Sequence, residues 1–136
     1  MQGYLPVGTP KLQVRLRNRE GKCFLTIKAG DRLIRLEEEI RITVGQFRTL
    51  WPLTKGARIA KRRYLISCLG QTAEMDVYEG HRRGLVTVEV EFDNLRDSHR
   101  FKPASWFGRE ITSDVRFANE ALARRRCVPR NLFKPS

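Results

Sequence analysis

Apolar and polar side chains alternate with a period of two along most of the chain up to residue 92. This alternation is typical of β-strands whose two faces differ in chemistry. Turns that contain glycine separate the alternating stretches. The predicted strands cover residues 11–18, 23–28, 33–42, 57–66, 73–79 and 85–92, and residues 2–6 are a further candidate. Many short antiparallel strands and few helices predict a mainly β (α+β) fold, either a barrel or a strongly curved sheet.

Two segments have a helical pattern instead. Residues 43–52 begin with Thr43, a favourable N-cap residue, and predict a short helix. Residues 114–126 place Asp114 near an N-cap and arginines in the last turn, where they interact favourably with the helix dipole. We therefore expect a helix after the last predicted strand.

The chain is strongly basic. Lys and Arg number 27 and Asp and Glu 15 among 136 residues, which gives a formal net charge of +12. This length predicts one compact domain. The charge implies an anionic partner, and phosphate compounds, nucleic acid and a membrane surface all fit. No apolar run approaches the ~20 residues that cross a bilayer, and the N-terminus lacks a secretory pattern, so we expect a cytoplasmic protein without a membrane partner.

The sequence lacks the common motifs of catalysis and of metal binding by sulfur or imidazole. The three cysteines are far apart and odd in number, so we expect them to be reduced and buried. The two histidines have no zinc-binding context. No phosphate loop (GxxxxGK), dinucleotide fingerprint (GxGxxG) or nucleophile elbow (GxSxG) is present. Any chemistry must come from another arrangement of residues.

The predicted strands have one apolar face and one face with paired charges. An ordinary antiparallel sheet with its charges in solvent explains this alternation. In a closed barrel, by contrast, the charged faces would line the interior. Two features favour the barrel: bases lie mainly on the early strands and acids on the later ones, and the two sets nearly balance. The bases are Arg15, Arg17, Lys28, Arg35, Lys61 and Arg63, and the acids are Glu37, Glu39, Glu74, Asp76, Glu89 and Glu91.

Such an interior would bind an anion through its bases and a divalent cation through its carboxylates. Carboxylates without His or Cys select hard ions such as Mg²⁺ or Mn²⁺. Polyphosphate with bound magnesium combines the two charges, and phosphoryl transfer needs mainly positioning, charge neutralisation and activated water. The residues therefore predict a site for a phosphate compound and a metal.

The ordered motifs resemble the CYTH domain of the triphosphate tunnel metalloenzymes. They are RLR (15–17), LTIK (25–28), RLEEE (35–39), KRRY (61–64), DVYEG (76–80), EVEF (89–92), WFGREIT (106–112) and Asn119. Each motif alone is weak, but the set occurs in family order and extends from about residue 2 to residue 123. Alternation along each predicted strand places the same charged residues on one face, independently of this resemblance.

The resemblance implies an antiparallel triphosphate-tunnel β-barrel, normally eight-stranded, that binds a triphosphate group and divalent metal. Family members include inorganic, thiamine and RNA triphosphatases and class IV adenylate cyclases. Carried over by motif, the phosphate-binding residues would be Arg15, Arg17, Lys28, Lys61 and Arg63, with Arg35 as a further candidate. The metal-binding residues would be Asp76, Glu89 and Glu91, with Glu37 and Glu39 lining the tunnel. Activated water is the expected nucleophile, with Mg²⁺ or Mn²⁺ as cofactor, and no catalytic side chain is predicted.

The implied function is metal-dependent hydrolysis of a small triphosphate, first inorganic tripolyphosphate, with nucleoside or thiamine triphosphate as other substrates. One departure keeps alternatives open. The family begins with a strand carrying ExExK, and this sequence starts at Met1, after the position of that strand. The chain could be a shortened enzyme, a binding module without turnover, or a barrel completed by another subunit or its own tail, so a monomer and a homodimer are both compatible. Adenylate cyclase activity is a variant of the first alternative.

A basic tail is the second departure. We assign residues 1–123 to the CYTH-like domain, N-terminally incomplete, and residues 124–136 to the tail. The tail carries five positive charges and no acid. A solvated helix end explains it, and contact with nucleic acid is the alternative. No aromatic pattern of an RNA-binding sheet supports that alternative.

Overall fold

The computed structural model describes residues 1–9, 11–30, 35–68 and 70–124, apart from the side chain of Arg35. Within these ranges, eight strands form two antiparallel sheets. This confirms the prediction of a mainly β fold. The strands fall into a five-stranded and a three-stranded sheet rather than one continuous ladder.

The five-stranded sheet has the strand order β4-β3-β2-β1-β5. Its strands are β1 (Gln2–Tyr4), β2 (Leu12–Arg19), β3 (Lys22–Gly30), β4 (Arg35–Ile42) and β5 (Arg58–Ile59). Arg15 lies opposite Thr26, and Thr26 lies opposite Glu39 on the next strand. Lys28 lies opposite Glu37. Because opposed residues share a face, the register gathers one set of predicted side chains on one face: Arg15, Arg17, Lys28, Glu37 and Glu39.

The three-stranded sheet has the order β6-β7-β8, with β6 (Lys61–Cys68), β7 (Gln71–Tyr78) and β8 (Val86–Val90). Its register places Arg63 opposite Asp76 and Glu74 opposite Glu89. The charged face of this sheet therefore contains Lys61, Arg63, Glu74, Asp76 and Glu89. The predicted strand 57–66 is divided at Ala60, since Arg58–Ile59 pairs with β1 and Lys61–Cys68 belongs to the other sheet.

The helices are short and connect or cover the sheets. Helix α1 (Val44–Leu50) begins at the predicted N-cap, Thr43, whose side chain accepts a hydrogen bond from the Gln46 amide. A 3-10 turn, Trp51–Thr54, follows it directly. Another 3-10 turn, Gly80–Arg82, precedes β8. Helix α2 (Leu95–Arg100) was not predicted, because it buries no side chain and so has no apolar periodicity.

The prediction of one helix over 114–126 is wrong in its continuity. Asp114 caps a 3-10 turn, Val115–Phe117, and the backbone at Ala118 is extended, with ψ 136°. Helix α3 (Asn119–Arg124) starts after this break. The break allows Phe117 and Leu122 to enter the same apolar cluster. Since α3 extends to Arg124, the predicted domain boundary after residue 123 falls inside it, and residues 125–136 of the predicted tail lie outside the described residues.

Two apolar clusters hold these elements. Leu16 and Cys23, on the outer face of the five-stranded sheet, pack against Phe47 of α1, and Phe47 stacks on Trp51 at 5.0 Å between ring centroids. The second cluster joins both sheets to α3. It contains Tyr4, Ala57, Ile59, Tyr78, Leu85, Phe117, Leu122 and Ala123. The two sheets are therefore connected through α3.

Two further predictions can be compared with the structure. Cys23 and Cys68 are free and buried, as expected, whereas Cys127 lies outside the described residues. No helix in the described part of the chain combines the length and apolar character needed to cross a membrane.

Candidate functional site

Arg15 is the most deeply placed base of the five-stranded sheet. It is 8% exposed. Its Nη2 donates to Thr26 Oγ1 at 3.1 Å and to Glu39 Oε2 at 3.4 Å, and the Thr26 hydroxyl donates to the same Glu39 oxygen at 2.8 Å. Its buried Nε has no hydrogen-bond partner in the described part of the protein. Arg15 is thus held in place and keeps an unused donor.

Arg17 follows on the same face of β2 with different surroundings. Among the described residues, no hydrogen bond or ion pair is made by its guanidinium. Burial and the positive charge of Arg15 lower the pKa of Arg17, and Arg63 of the other sheet acts in the same direction. The contribution of Arg63 indicates that bases of the two sheets lie within electrostatic range of each other. A bound anion would offset this concentration of positive charge.

Lys28 and Glu37 form the next cross-strand pair along this face. The Lys28 Nζ lies 2.7 Å from Glu37 Oε2, with side-chain exposures of 20% and 47%. Exposed pairs of this kind contribute little to stability and exchange partners readily. Lys28 can therefore turn to a phosphate oxygen at low cost. The predicted Arg35 is placed by its backbone at the start of β4, and its side chain lies outside the described residues.

Asp76 is the centre of the charged face of the three-stranded sheet. It is fully buried. Arg63 binds both of its oxygens, Nε to Oδ1 at 2.8 Å and Nη2 to Oδ2 at 2.7 Å, and Lys61 Nζ donates to Oδ2. This bidentate geometry is the strongest form of an Arg–carboxylate contact. Asp76 thereby orients two of the predicted phosphate-binding residues.

Three carboxylates converge on Arg63. Besides Asp76, its Nη1 contacts Glu74 and its Nη2 lies 3.3 Å from Glu89 Oε2. Hydrogen bonds with Asp76 are the main cause of a raised pKa of Arg63. Burial would raise the pKa of Asp76, but the bonds from Arg63 and Lys61 outweigh it and lower that pKa. Burial lowers the pKa of Lys61. Asp76 and Arg63 are therefore both charged at neutral pH.

The predicted metal-binding residues are only partly assembled. Within the described residues, no three His, Cys, Asp or Glu side chains form a group ready to hold a metal ion. Asp76 is occupied by bases, Glu39 by Arg15 and Thr26, and Glu37 by Lys28. Glu89 is 48% exposed with one long contact, and Glu91 is exposed just after β8 ends. The donors are all carboxylate oxygens, which fits Mg²⁺ or Mn²⁺, and Glu89 and Glu91 are the most accessible of them.

Helix α3 brings further polar groups to this space. Asn119 Oδ1 accepts hydrogen bonds from Tyr78 Oη at 2.8 Å and Lys61 Nζ at 3.2 Å. Glu120 Oε2 accepts from Gln13 of β2 at 2.5 Å. Sequence reasoning included Asn119 in a motif without a role and gave Thr26 none. Two features of the sequence could have identified these residues. Thr26 has the same parity as Lys28 on β3, and Asn119 is a polar residue at the start of a helix.

The comparisons with known proteins agree with this geometry. An inorganic triphosphatase of Nitrosomonas europaea is 45% identical over 123 residues, which are 90% of this chain and 82% of the relative. An inorganic triphosphatase of Acetivibrio thermocellus is 36% identical over 125 residues, 90% of this chain and 78% of the relative. No protein-family model matches the chain.

Solved structures give the same result for the fold. A crystal structure of the inorganic triphosphatase NE1496 superposes with a TM-score of 0.73 and 42% identity, covering 91% of this chain and 80% of that one. A second structure of NE1496 gives a TM-score of 0.74 over 91% and 83% of the two chains. The overall fold is thus shared with a solved inorganic triphosphatase.

Proposed function

This chain belongs to the CYTH family of triphosphate tunnel metalloenzymes, and we propose that it is an inorganic triphosphatase that hydrolyses tripolyphosphate with the aid of a divalent cation. The relatives at 45% and 36% identity are inorganic triphosphatases. The observation that carries the proposal for this chain is the set of bases on two charged faces that α3 bridges through its contacts with Gln13 and Lys61. These bases come from both sheets and retain donors that no described residue uses.

Each base has a definite part in holding the substrate. Arg15 offers the guanidinium donors that Thr26 and Glu39 do not use, and Arg17 offers its whole guanidinium, to phosphate oxygens. Lys28 can exchange Glu37 for phosphate, and Arg63 can exchange its long contact with Glu89. Such contacts neutralise the negative charge of the triphosphate chain, so that water can approach a phosphorus atom and the leaving phosphate can depart with its charge balanced. In this scheme Asp76 fixes the bases from behind.

A divalent cation is the second part of the proposal. Asp76, Glu89 and Glu91 would hold Mg²⁺ or Mn²⁺, with Glu37 and Glu39 nearby, and the bound ion would supply charge neutralisation and activation of water. Glu89 and Glu91 are the most available of these carboxylates because their described contacts are few. Asp76 would have to release Lys61 or one contact with Arg63 in order to take part.

The test is phosphate release from tripolyphosphate by the purified chain with Mg²⁺ or Mn²⁺. We expect turnover that Glu89→Gln lowers by about 100-fold or more, because even residues behind a metal ligand contribute 10- to 100-fold. Glu38→Gln is the matched control, since Glu38 is exposed on β4 with the opposite parity to Glu37 and Glu39. Release no greater than that of Glu89→Gln contradicts the proposal. Calorimetric binding without release would instead identify a binding module.

A further inference from the structure

We propose that Asn119 is a positioning residue that aims the ammonium group of Lys61 at the bound triphosphate. The contacts of Asn119 with Lys61 and Tyr78 are seen in the structure, whereas their effect on catalysis rests on the proposed function. Lys61 and Tyr78 lie on neighbouring strands of one sheet, whereas Asn119 begins α3. The side chain of Asn119 thus joins Lys61 to an element outside the sheet.

The hydrogen bonds of Lys61 determine where its remaining proton points. An ammonium group has three donors and no acceptor. One donor of Lys61 goes to Asp76 and a second goes to Asn119 Oδ1 at 3.2 Å. The third has no acceptor among the described residues. Fixing two N–H directions fixes the third, so Asn119 and Asp76 together select the direction of the free donor.

Tyr78 contacts both Asn119 and Lys61. Its hydroxyl donates to Asn119 Oδ1 at 2.8 Å, and its ring lies under Lys61 Nζ at 5.6 Å from the centroid. Tyr78 is 2% exposed, and its buried hydroxyl directs its hydrogen to Asn119. This donor occupies one lone pair of Asn119 and leaves the other for Lys61. The amide is therefore oriented before it meets the lysine.

Helix α3 is a firm base for this contact. Leu122 is fully buried in the cluster that joins both sheets. Its carbonyl oxygen accepts from Arg82 Nε at 2.7 Å, and Glu120 binds Gln13 and Arg124. A side chain that begins such an anchored helix restricts the position of the lysine that it binds. A displacement of a reacting group by about 1 Å costs roughly 100-fold in rate.

The test is a double-mutant cycle between Asn119 and Lys61 with tripolyphosphate as substrate. Asn119→Leu keeps the size of the side chain and removes the acceptor. We expect it to lower kcat/KM by about 10- to 100-fold in the wild type, and to cause no further loss when Lys61→Met is already present. Asn119→Asp, which retains an acceptor oxygen, should recover most of the rate. Equal losses from Asn119→Leu in both backgrounds, or no recovery with Asn119→Asp, overturn the inference.

The variant Glu120→Ala distinguishes positioning of Lys61 by Asn119 from a purely structural role of Asn119 in stabilising α3. This control removes the bond of α3 to Gln13 of β2 and the pair of Glu120 with Arg124 inside the helix, and it leaves Asn119 in place. If it lowers kcat/KM as much as Asn119→Leu, then loosening of α3 explains both effects and the inference fails. We expect Glu120→Ala to lower the unfolding temperature with a smaller change in kcat/KM.

A second readout does not depend on turnover. The same cycle on the free energy of unfolding measures the Asn119–Lys61 contact directly, and we expect the two substitutions to be non-additive. If the wild type releases no phosphate, the proposed function fails, and this cycle alone decides the inference. Additive effects on unfolding then overturn it. If Lys61→Met does not fold, the comparison of Asn119→Asp with Asn119→Leu in the wild type decides.

Discussion

Arg15 and Arg17 occupy equivalent positions on β2, but their surroundings give them different properties. Arg15 is fixed by Thr26 and Glu39, so its guanidinium contributes to the packing of the sheet as well as to the site. Arg17 has no such partner among the described residues, and its pKa is lowered by burial and by Arg15. In the proposed site, a bound anion would offset the cost of holding Arg17 beside other bases. Substitution of Arg17 can therefore test anion binding with little effect on the stability of the fold.

We therefore expect Arg17→Ala to weaken the binding of tripolyphosphate by about 10- to 100-fold, the usual effect of losing hydrogen bonds to a charged group. The free energy of unfolding should fall by less than about 1 kcal/mol, because no described contact is lost. Calorimetric titration and urea unfolding measure the two quantities. Arg62→Ala is the control, since Arg62 is exposed and faces outward with Glu79. Equal binding by Arg17→Ala and Arg62→Ala would remove Arg17 from the site.

Asp76 makes the free energy of unfolding depend on pH. Its pKa is lowered in the folded protein below the ordinary 3.8, so its charged form is favoured by folding. A carboxyl group of this kind stabilises the fold above its unfolded pKa, and this stabilisation is lost as the pH falls through the folded value. We expect Asp76→Asn to cost about 1–3 kcal/mol at neutral pH, because Arg63 and Lys61 lose a charged partner.

The difference in unfolding free energy between the wild type and Asp76→Asn should shrink as the pH falls below 3.8. Urea unfolding across this range measures the difference. Asp97→Asn is a suitable control, since Asp97 lies in the first turn of α2 and no residue of α2 is buried. A constant difference at every pH would show that Asp76 acts through packing rather than through its charge.

At the scale of elements, β1 is held against the turn that follows α1. A Cβ added to Gly3 would lie 2.6 Å from Thr54 Oγ1, 2.7 Å from Thr54 Cβ and 2.9 Å from the Trp51 ring. Thr54 is fully buried, and its hydroxyl donates to the Trp51 carbonyl oxygen at 2.8 Å, so it cannot easily move away. This close approach fixes β1 between β2 and β5, and β1 in turn positions Tyr4 in the cluster beneath α3.

Gly3→Ala should therefore destabilise the protein by about 1–3 kcal/mol, the usual cost of overpacking. Gly8→Ala is the matched control, because a Cβ at Gly8 has no neighbour within 4 Å. That substitution should leave the free energy of unfolding unchanged or slightly higher, since alanine restricts the unfolded chain. Chemical denaturation of both variants measures the effect. Equal stability of the two variants would show that Thr54 and Trp51 adapt without cost.

At the scale of the whole molecule, the excess of positive charge lies outside the balanced site. The twelve predicted charged residues of the interior are six bases and six acids, so the net charge of +12 comes from the rest of the chain. Four of these outer charges are Arg125, Arg126, Arg130 and Lys134. The residues proposed to bind the substrate and the residues that make the chain basic are therefore different sets.

Deletion of residues 125–136 tests this separation. We expect the kcat for tripolyphosphate to be unchanged, because every residue proposed for the site precedes residue 120. Retention on immobilised RNA should fall, and the remaining retention should weaken with salt, since exposed charges are screened beyond about 10 Å at 0.1 M ionic strength. A large loss of kcat would place part of the tail in the site. Unchanged retention would contradict a role of the tail in binding nucleic acid.

The strand-rich fold and the side chains on each charged face follow from local patterns in the amino-acid sequence. A strand has a period of two, so the parity of Arg15, Arg17, Lys61, Arg63 and Asp76 can be read directly from the chain. The N-cap Thr43 is equally local, because its bond spans only three residues. The comparisons confirm the family that these ordered motifs resemble.

Only the tertiary structure decided which charges meet. The division of the predicted strand at Ala60 and the break at Ala118 depend on partners distant in sequence, namely β1, β7 and the cluster under α3. The pairing of Asp76 with Lys61 and Arg63, and the contact of Asn119 with Lys61 across 58 positions, follow from that packing. Local periodicity specifies a face, whereas the partner of each side chain on that face is set by how the elements pack together.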